Sequence, residues 1–147
     1  MKPESIRKFD WLYWASVVVG LSGLVVGWDT INAQVSTELA ANGNAQLGED
    51  FAVGALVIGA IVGAAISIAL WLLISVLRIE FVKWVLIAMV LWTVITMPGG
   101  IELAGGFGLM HVPAVLSTLL TIVAIWFLFR PDAKAWFADK RSGKTNP

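Results

Sequence analysis

His111 is the only histidine in 147 residues, and there is no cysteine. Together these remove disulfides, thiolate metal sites, Fe–S clusters, thiol nucleophiles and two-histidine haem ligation. What remains for metal chemistry is His111 with Asp29, Glu49, Asp50 and Glu102. Their spacing fits no ligand pattern, and ordinary solvated loop charges explain them better, so no metal site, cofactor site or catalytic residue is expected. Asp10 is placed to pair with Arg78, Lys83 or Arg130, a structural role.

Ionisable residues deep in an apolar segment mark proton and ion paths, because they cost at least about 2.5–3.5 kcal/mol at a bilayer centre. This chain has none there. Asp10, Asp29, Arg78, Lys83 and Arg130 all fall at the ends of apolar runs. A proton-coupled exporter of the small multidrug type needs a carboxylate in its first span, and Trp11–Trp28 has none. The expectation is a protein that is not an enzyme.

Small residues are the stronger signal. Ala55, Gly59, Gly63 and Ser67 recur every four residues, and Gly23 with Gly27 forms a GxxxG pair. In lipid, helices associate through close backbone approach, which such stripes permit. The spacing predicts that Gly23–Gly27 packs against the Gly59–Gly63 stripe inside one bundle. A face for a second copy or a membrane-protein partner is the alternative. Ala114, Ser117, Thr118, Thr121 and Ala124 add groups that pack or hydrogen-bond across helices.

The elements that must carry these residues are apolar runs. Composition is 59% hydrophobic and 14% charged, against about 25% charged in soluble domains. Ala52–Leu77 is 26 residues without charge, proline or amide. Runs of 18 or more read as transmembrane helices, since lipid forces backbone groups to pair within the segment. Four spans are expected, at 11–28, 52–77, 81–97 and 112–129, forming an all-α four-helix transmembrane bundle in a single domain. Asp29 should N-cap a short surface helix over Thr30–Ala41, stopped by Asn42-Gly43-Asn44, with a plain polar loop as the alternative. Glu49 and Asp50 should open the second span. Pro98-Gly99-Gly100 should end the third, and Ile101–His111 is a glycine-rich loop that either dips into the bilayer or covers a neighbour. Pro113 suits the first turn of the fourth span. A short interfacial helix is expected at 131–140, with a disordered tail at 142–147.

Charge fixes the orientation. All ten Lys and Arg fall in 1–10, 78–83 and 130–147, while 29–50 and 98–111 hold five acids and no base. The positive-inside rule then puts both termini in the cytoplasm and the surface helix in the periplasm. This alternation opposes a cleaved signal peptide at the N-terminus, which would leave three spans. Net charge is zero, so nucleic acid is not an expected partner. Trp11, Trp14, Trp84, Trp136 and Phe137 are expected interfacial anchors.

The end segments PESIRKFDWLYW (Pro3–Trp14) and FLFRPDAKAWF (Phe127–Phe137) resemble a family of small, uncharacterised bacterial inner-membrane proteins with four spans. The resemblance implies a bacterial inner membrane; it brings no activity and no functional residue. The expected function is an accessory or scaffold protein acting through helix contacts in the bilayer. The rival is a small oligomeric channel or transporter for an uncharged solute.

Overall fold

A computed structural model describes residues 2–43, 48–103 and 105–141. Six helices follow in order: α1 (Glu4–Val26), α2 (Trp28–Ala41), α3 (Gly48–Ser75), α4 (Val82–Leu103), α5 (His111–Leu128) and α6 (Pro131–Arg141). Among the described residues there is no strand. Helices α1, α3, α4 and α5 are each long and apolar enough to cross a membrane.

Helix α1 begins two turns before the expected Trp11. Glu4 stands in its first turn and pairs with Lys8 at 2.7 Å. Its exposed N–H groups are met from outside: the Asp132 carboxylate of α6 accepts from the Ser5 N–H at 3.2 Å and the Ser5 hydroxyl at 2.8 Å. A helix start leaves such donors orphaned, and here a residue 127 positions away satisfies the one on Ser5. Asp10 therefore lies inside α1, not at its start. Its carboxylate accepts from Trp71 Nε1 at 2.9 Å and Lys2 Nζ at 3.2 Å. The expected partners are engaged elsewhere: Lys83 pairs with Glu80 at 2.6 Å, and Arg78 and Arg130 lie over tryptophan rings.

Helices α1 and α2 join at Gly27, whose N–H donates to Gly23 O and whose carbonyl accepts from Ile31. Gly27 is thus the N-cap of α2, and Asp29 sits in the first turn, not at the cap. The reason is crowding: a Cβ on Gly27 would meet Gly23 O at 3.1 Å and Met110 Cβ at 3.3 Å. Asn42 and a left-handed Gly43 (φ 75°) end α2 as expected; Asn44 lies outside the described residues, as does the 142–147 tail. Glu49 and Asp50 fall in the first turn of α3.

Helix α3 closes earlier than Leu77, in a cap built on Arg78. The Leu77 N–H donates to Leu72 O and the Ile79 N–H to Leu73 O, both at 2.9 Å. Arg78 takes φ 53°, a left-handed conformation normally given to glycine and costing another residue roughly 1–2 kcal/mol.

Helix α4 contradicts the expected stop. It runs through Pro98-Gly99-Gly100 to Leu103. Proline removes one N–H and leaves the Val94 carbonyl without its usual donor. Breaking the helix in lipid would strand several backbone groups instead, and that cost exceeds the local preference. The glycine-rich loop shrinks accordingly. The Gly105 and Gly106 N–H groups bond back to Glu102 and Ile101 carbonyls, both glycines at positive φ. Helix α5 starts one residue early, with Pro113 in its first turn, and α6 matches expectation to within a residue.

Helices α1 and α5 form an antiparallel pair along their whole length, with Gly27 beside Met110, Gly23 beside Pro113 and Gly20 beside Ser117. The buried core lies at one end of the bundle. Ile6, Phe9 and Tyr13 of α1 meet Leu70 and Ile74 of α3, Val82 and Leu86 of α4, Ala124, Ile125 and Leu128 of α5, and Ala133, Trp136 and Phe137 of α6. The other end is looser: Phe51, Val57, Ile58, Ile61 and Val62 of α3 and Leu91 to Ile95 of α4 are exposed.

Candidate functional site

Four apolar helices closed at one end leave a half-open cleft of about 640 Å³ between them at the other. Its walls come from all four. Helix α3 supplies Ala55, Gly59, Gly63 and Ser67, α1 supplies Ser16 and Gly20, α4 supplies Met89 and Thr93, and α5 supplies Ser117 and Thr121. Tyr13, Leu70 and Leu86 lie where the cleft meets the buried core.

This placement corrects the expected pairing of the two glycine stripes. A Cβ built on Gly59 or Gly63 meets nothing within 4 Å. Gly59 and Gly63, the middle of the α3 stripe, therefore face open space among the described residues. Gly23 and Gly27 pack on α5 and the residue before it: a Cβ on Gly23 would stand 3.3 Å from Pro113 Cβ. Gly20, not singled out from the sequence, belongs to the same seam, with Ser117 Oγ at 3.1 Å. Ser16, Gly20, Gly23 and Gly27 recur at i, i+4, i+7 and i+11, which places them on one helix face. That longer pattern was the available signal, and a search for GxxxG alone passes over it.

The polar groups of the cleft are all engaged. Ser117 Oγ donates across helices to Ser16 O at 2.8 Å, the inter-helix role its position in α5 allowed. Tyr13 OH donates to Ser67 O at 3.0 Å, tying α1 to α3 at the foot of the cleft. Ser16, Ser67, Thr93, Thr118 and Thr121 each donate to a carbonyl three or four residues back in their own helix. Aside from Tyr13, no ionisable side chain lines the cleft among the described residues. It is an apolar space with no unpaired donor.

The five expected anchors divide. Trp11 (78% exposed) and Trp84 stand outward, and Trp14 is partly exposed beside Trp71, ring centroids 5.7 Å apart. Trp136 and Phe137 are buried, at 6% and 3% exposure, a reversal of the expected lipid contact. Their helix folds back so that Ala133, Trp136 and Phe137, one stripe at i, i+3 and i+4, cover the end of the core. The Trp136 indole N–H finds no acceptor among the described residues.

His111 is a local structural residue. Its Nδ1 accepts from the Gly108 N–H at 3.0 Å, and its ring stacks on Phe107. Among the described residues no three His, Asp or Glu side chains come close enough to hold a metal ion. Comparison with protein-family models, curated proteins and solved structures returned no match for this chain.

Proposed function

We propose that this chain is a non-enzymatic accessory or scaffold protein of a bacterial inner membrane, receiving an apolar helix of another membrane protein against the Gly59–Gly63 face of α3. One observation carries the reading: Gly59 and Gly63 are left open, with nothing among the described residues within 4 Å of either glycine Cβ position. Small residues in lipid matter chiefly where two backbones meet. The satisfied hydroxyls ask no hydrogen bond of the occupant. A second copy fits less well. Two copies inserted in the same sense would set five acids against five acids at one end and net positive ends together at the other. The positive-inside pattern puts the basic end, with both termini, in the cytoplasm.

A conduit for an uncharged solute is the second reading, favoured by the neutral lining. The buried core below Tyr13 and Leu70 opposes it, since apolar side chains from α1, α3, α4, α5 and α6 pack together at that end. The test places a photo-crosslinking residue at Gly59 and, as a lipid-facing control, at Ile58. A discrete adduct of one mass at 59, absent at 58 and abolished by Gly63→Leu, supports the scaffold. Selective leak of an uncharged solute from proteoliposomes, lost in Gly63→Leu, would replace that reading with the conduit.

A further inference from the structure

At the closed end, five cations lie over aromatic rings. Lys2 is 5.7 Å from the centroid of Trp71, Lys8 5.7 Å from Phe127, Arg78 4.4 Å from Trp136, Lys83 5.0 Å from Phe129 and Arg130 5.3 Å from Trp126. A chain of this length ordinarily shows about two such pairs. Three of the five cations also have a carboxylate: Lys2 with Asp10, Lys8 with Glu4 and Lys83 with Glu80. Arg78 and Arg130 have no ion pair among the described residues.

We propose that Arg78, seated on Trp136, and Arg130, seated on Trp126, bind the phosphates of anionic phospholipids. An aromatic ring engages the face of a guanidinium and leaves its fork of N–H donors free at the edge, the geometry that matches a phosphate. Position selects lipid over a soluble phosphate. Helix α5 spans 18 residues, about 27 Å at 1.5 Å per residue, close to the roughly 30 Å hydrocarbon thickness. Arg130 follows it by two residues and Arg78 follows α3 by three, so both emerge at headgroup depth. The surrounding charge agrees: the three basic segments hold ten Lys and Arg against five acids. Arg78 is also preset. Its contact with the Trp136 ring holds the side chain before a ligand arrives, which lowers the ordering cost of binding.

The experiment uses the full chain in nanodiscs of phosphatidylcholine containing a minor fraction of phosphatidylglycerol, then counts retained lipid by native mass spectrometry. Wild type should retain phosphatidylglycerol selectively. Arg78→Gln should lower retention about tenfold, as expected for loss of a charge-assisted contact, and Arg130→Gln should lower it further. Lys134→Gln removes the same charge from the exposed face of α6 and should leave retention unchanged. Arg78→Gly relieves the left-handed backbone, so it should unfold at a higher temperature than wild type in neutral detergent and still lose the lipid. Equal retention of the two lipids would overturn the proposal, as would a Lys134→Gln loss matching that of Arg78→Gln. Displacement of the lipid by millimolar inorganic phosphate would overturn it in favour of a soluble anion.

Discussion

Two glycines of similar sequence context should respond oppositely to the same methyl group. Gly63 lies within α3 with nothing near its Cβ position. Gly63→Ala there removes only the conformational cost of a helical glycine, so the protein should gain about 0.5–1 kcal/mol. Gly23 lies within α1 with Pro113 Cβ 3.3 Å from the new methyl. Carbon atoms rest at about 3.5–4.0 Å, so the neighbour must retreat by a few tenths of an ångström. Pro113 has no rotamer to take; its ring is fixed to the first turn of α5. The helices must part instead, at an overpacking cost of about 1–3 kcal/mol, from which the same propensity gain is subtracted. Gly23→Ala should thus lose about 1 kcal/mol, the middle of that difference. Thermal unfolding in neutral detergent, followed by tryptophan fluorescence, reads both. If Gly63→Ala destabilised as Gly23→Ala does, the α3 stripe would be packed within the bundle, and the reasoning behind an open cleft would fail. A neutral Gly23→Ala would equally refute the α1–α5 seam.

Other perturbations probe the closed end. Trp136→Ala should cost about 3–5 kcal/mol as a buried aromatic deletion, whereas Trp11→Ala should change detergent stability by less than about 0.5 kcal/mol; equal effects would restore Trp136 to the lipid surface. Hydrogen bonds from Ser5 hold the Asp132 carboxyl below its ordinary value of 3.8. A carboxyl lowered on folding stabilises above that value and loses the effect as pH falls through its folded value. Asp132→Asn should therefore melt lower than wild type at pH 7, with the gap narrowing below about pH 4; a gap that widens in acid would contradict the contact. Pro98→Ala restores a donor to the Val94 carbonyl and should raise the melting temperature of the protein, and a lower melting temperature would mean that the proline is needed where it stands.

The four long apolar helices were legible because lipid imposes one solution on an uncharged run. Boundaries followed local cues less faithfully. Pro98-Gly99-Gly100 reads as a stop in water, and α4 passes through it because unpaired backbone weighs more in lipid. The start of α1 depends on Asp132, far along the chain, and no local pattern around Ser5 announces that contact. The site was half legible. Ala55, Gly59, Gly63 and Ser67 do share a face, but a periodicity identifies a stripe without naming what lies opposite. Gly23 and Gly27 met α5 because Pro113 and Ser117 continue the seam begun by Gly20, an inter-helix match that spacing on one helix cannot report. Trp136 and Phe137 were misplaced for a related reason: an amphipathic helix beside a membrane reads the same whether its apolar side meets lipid or protein.

The engaged hydroxyls of the cleft have a bioenergetic consequence. A bacterial inner membrane stores work as a proton gradient, and any protein that opens a sizeable space within it risks short-circuiting that store. Proton hopping needs a file of water held by groups free to donate and accept in turn. Here Tyr13, Ser16, Ser67, Thr93, Ser117, Thr118 and Thr121 each commit their hydrogen to a backbone carbonyl. The walls that remain are largely alkyl, and apolar walls hold water poorly. On the proposed reading, the chain would carry its opening without becoming a leak, and would stand empty in an energised membrane until its occupant arrives.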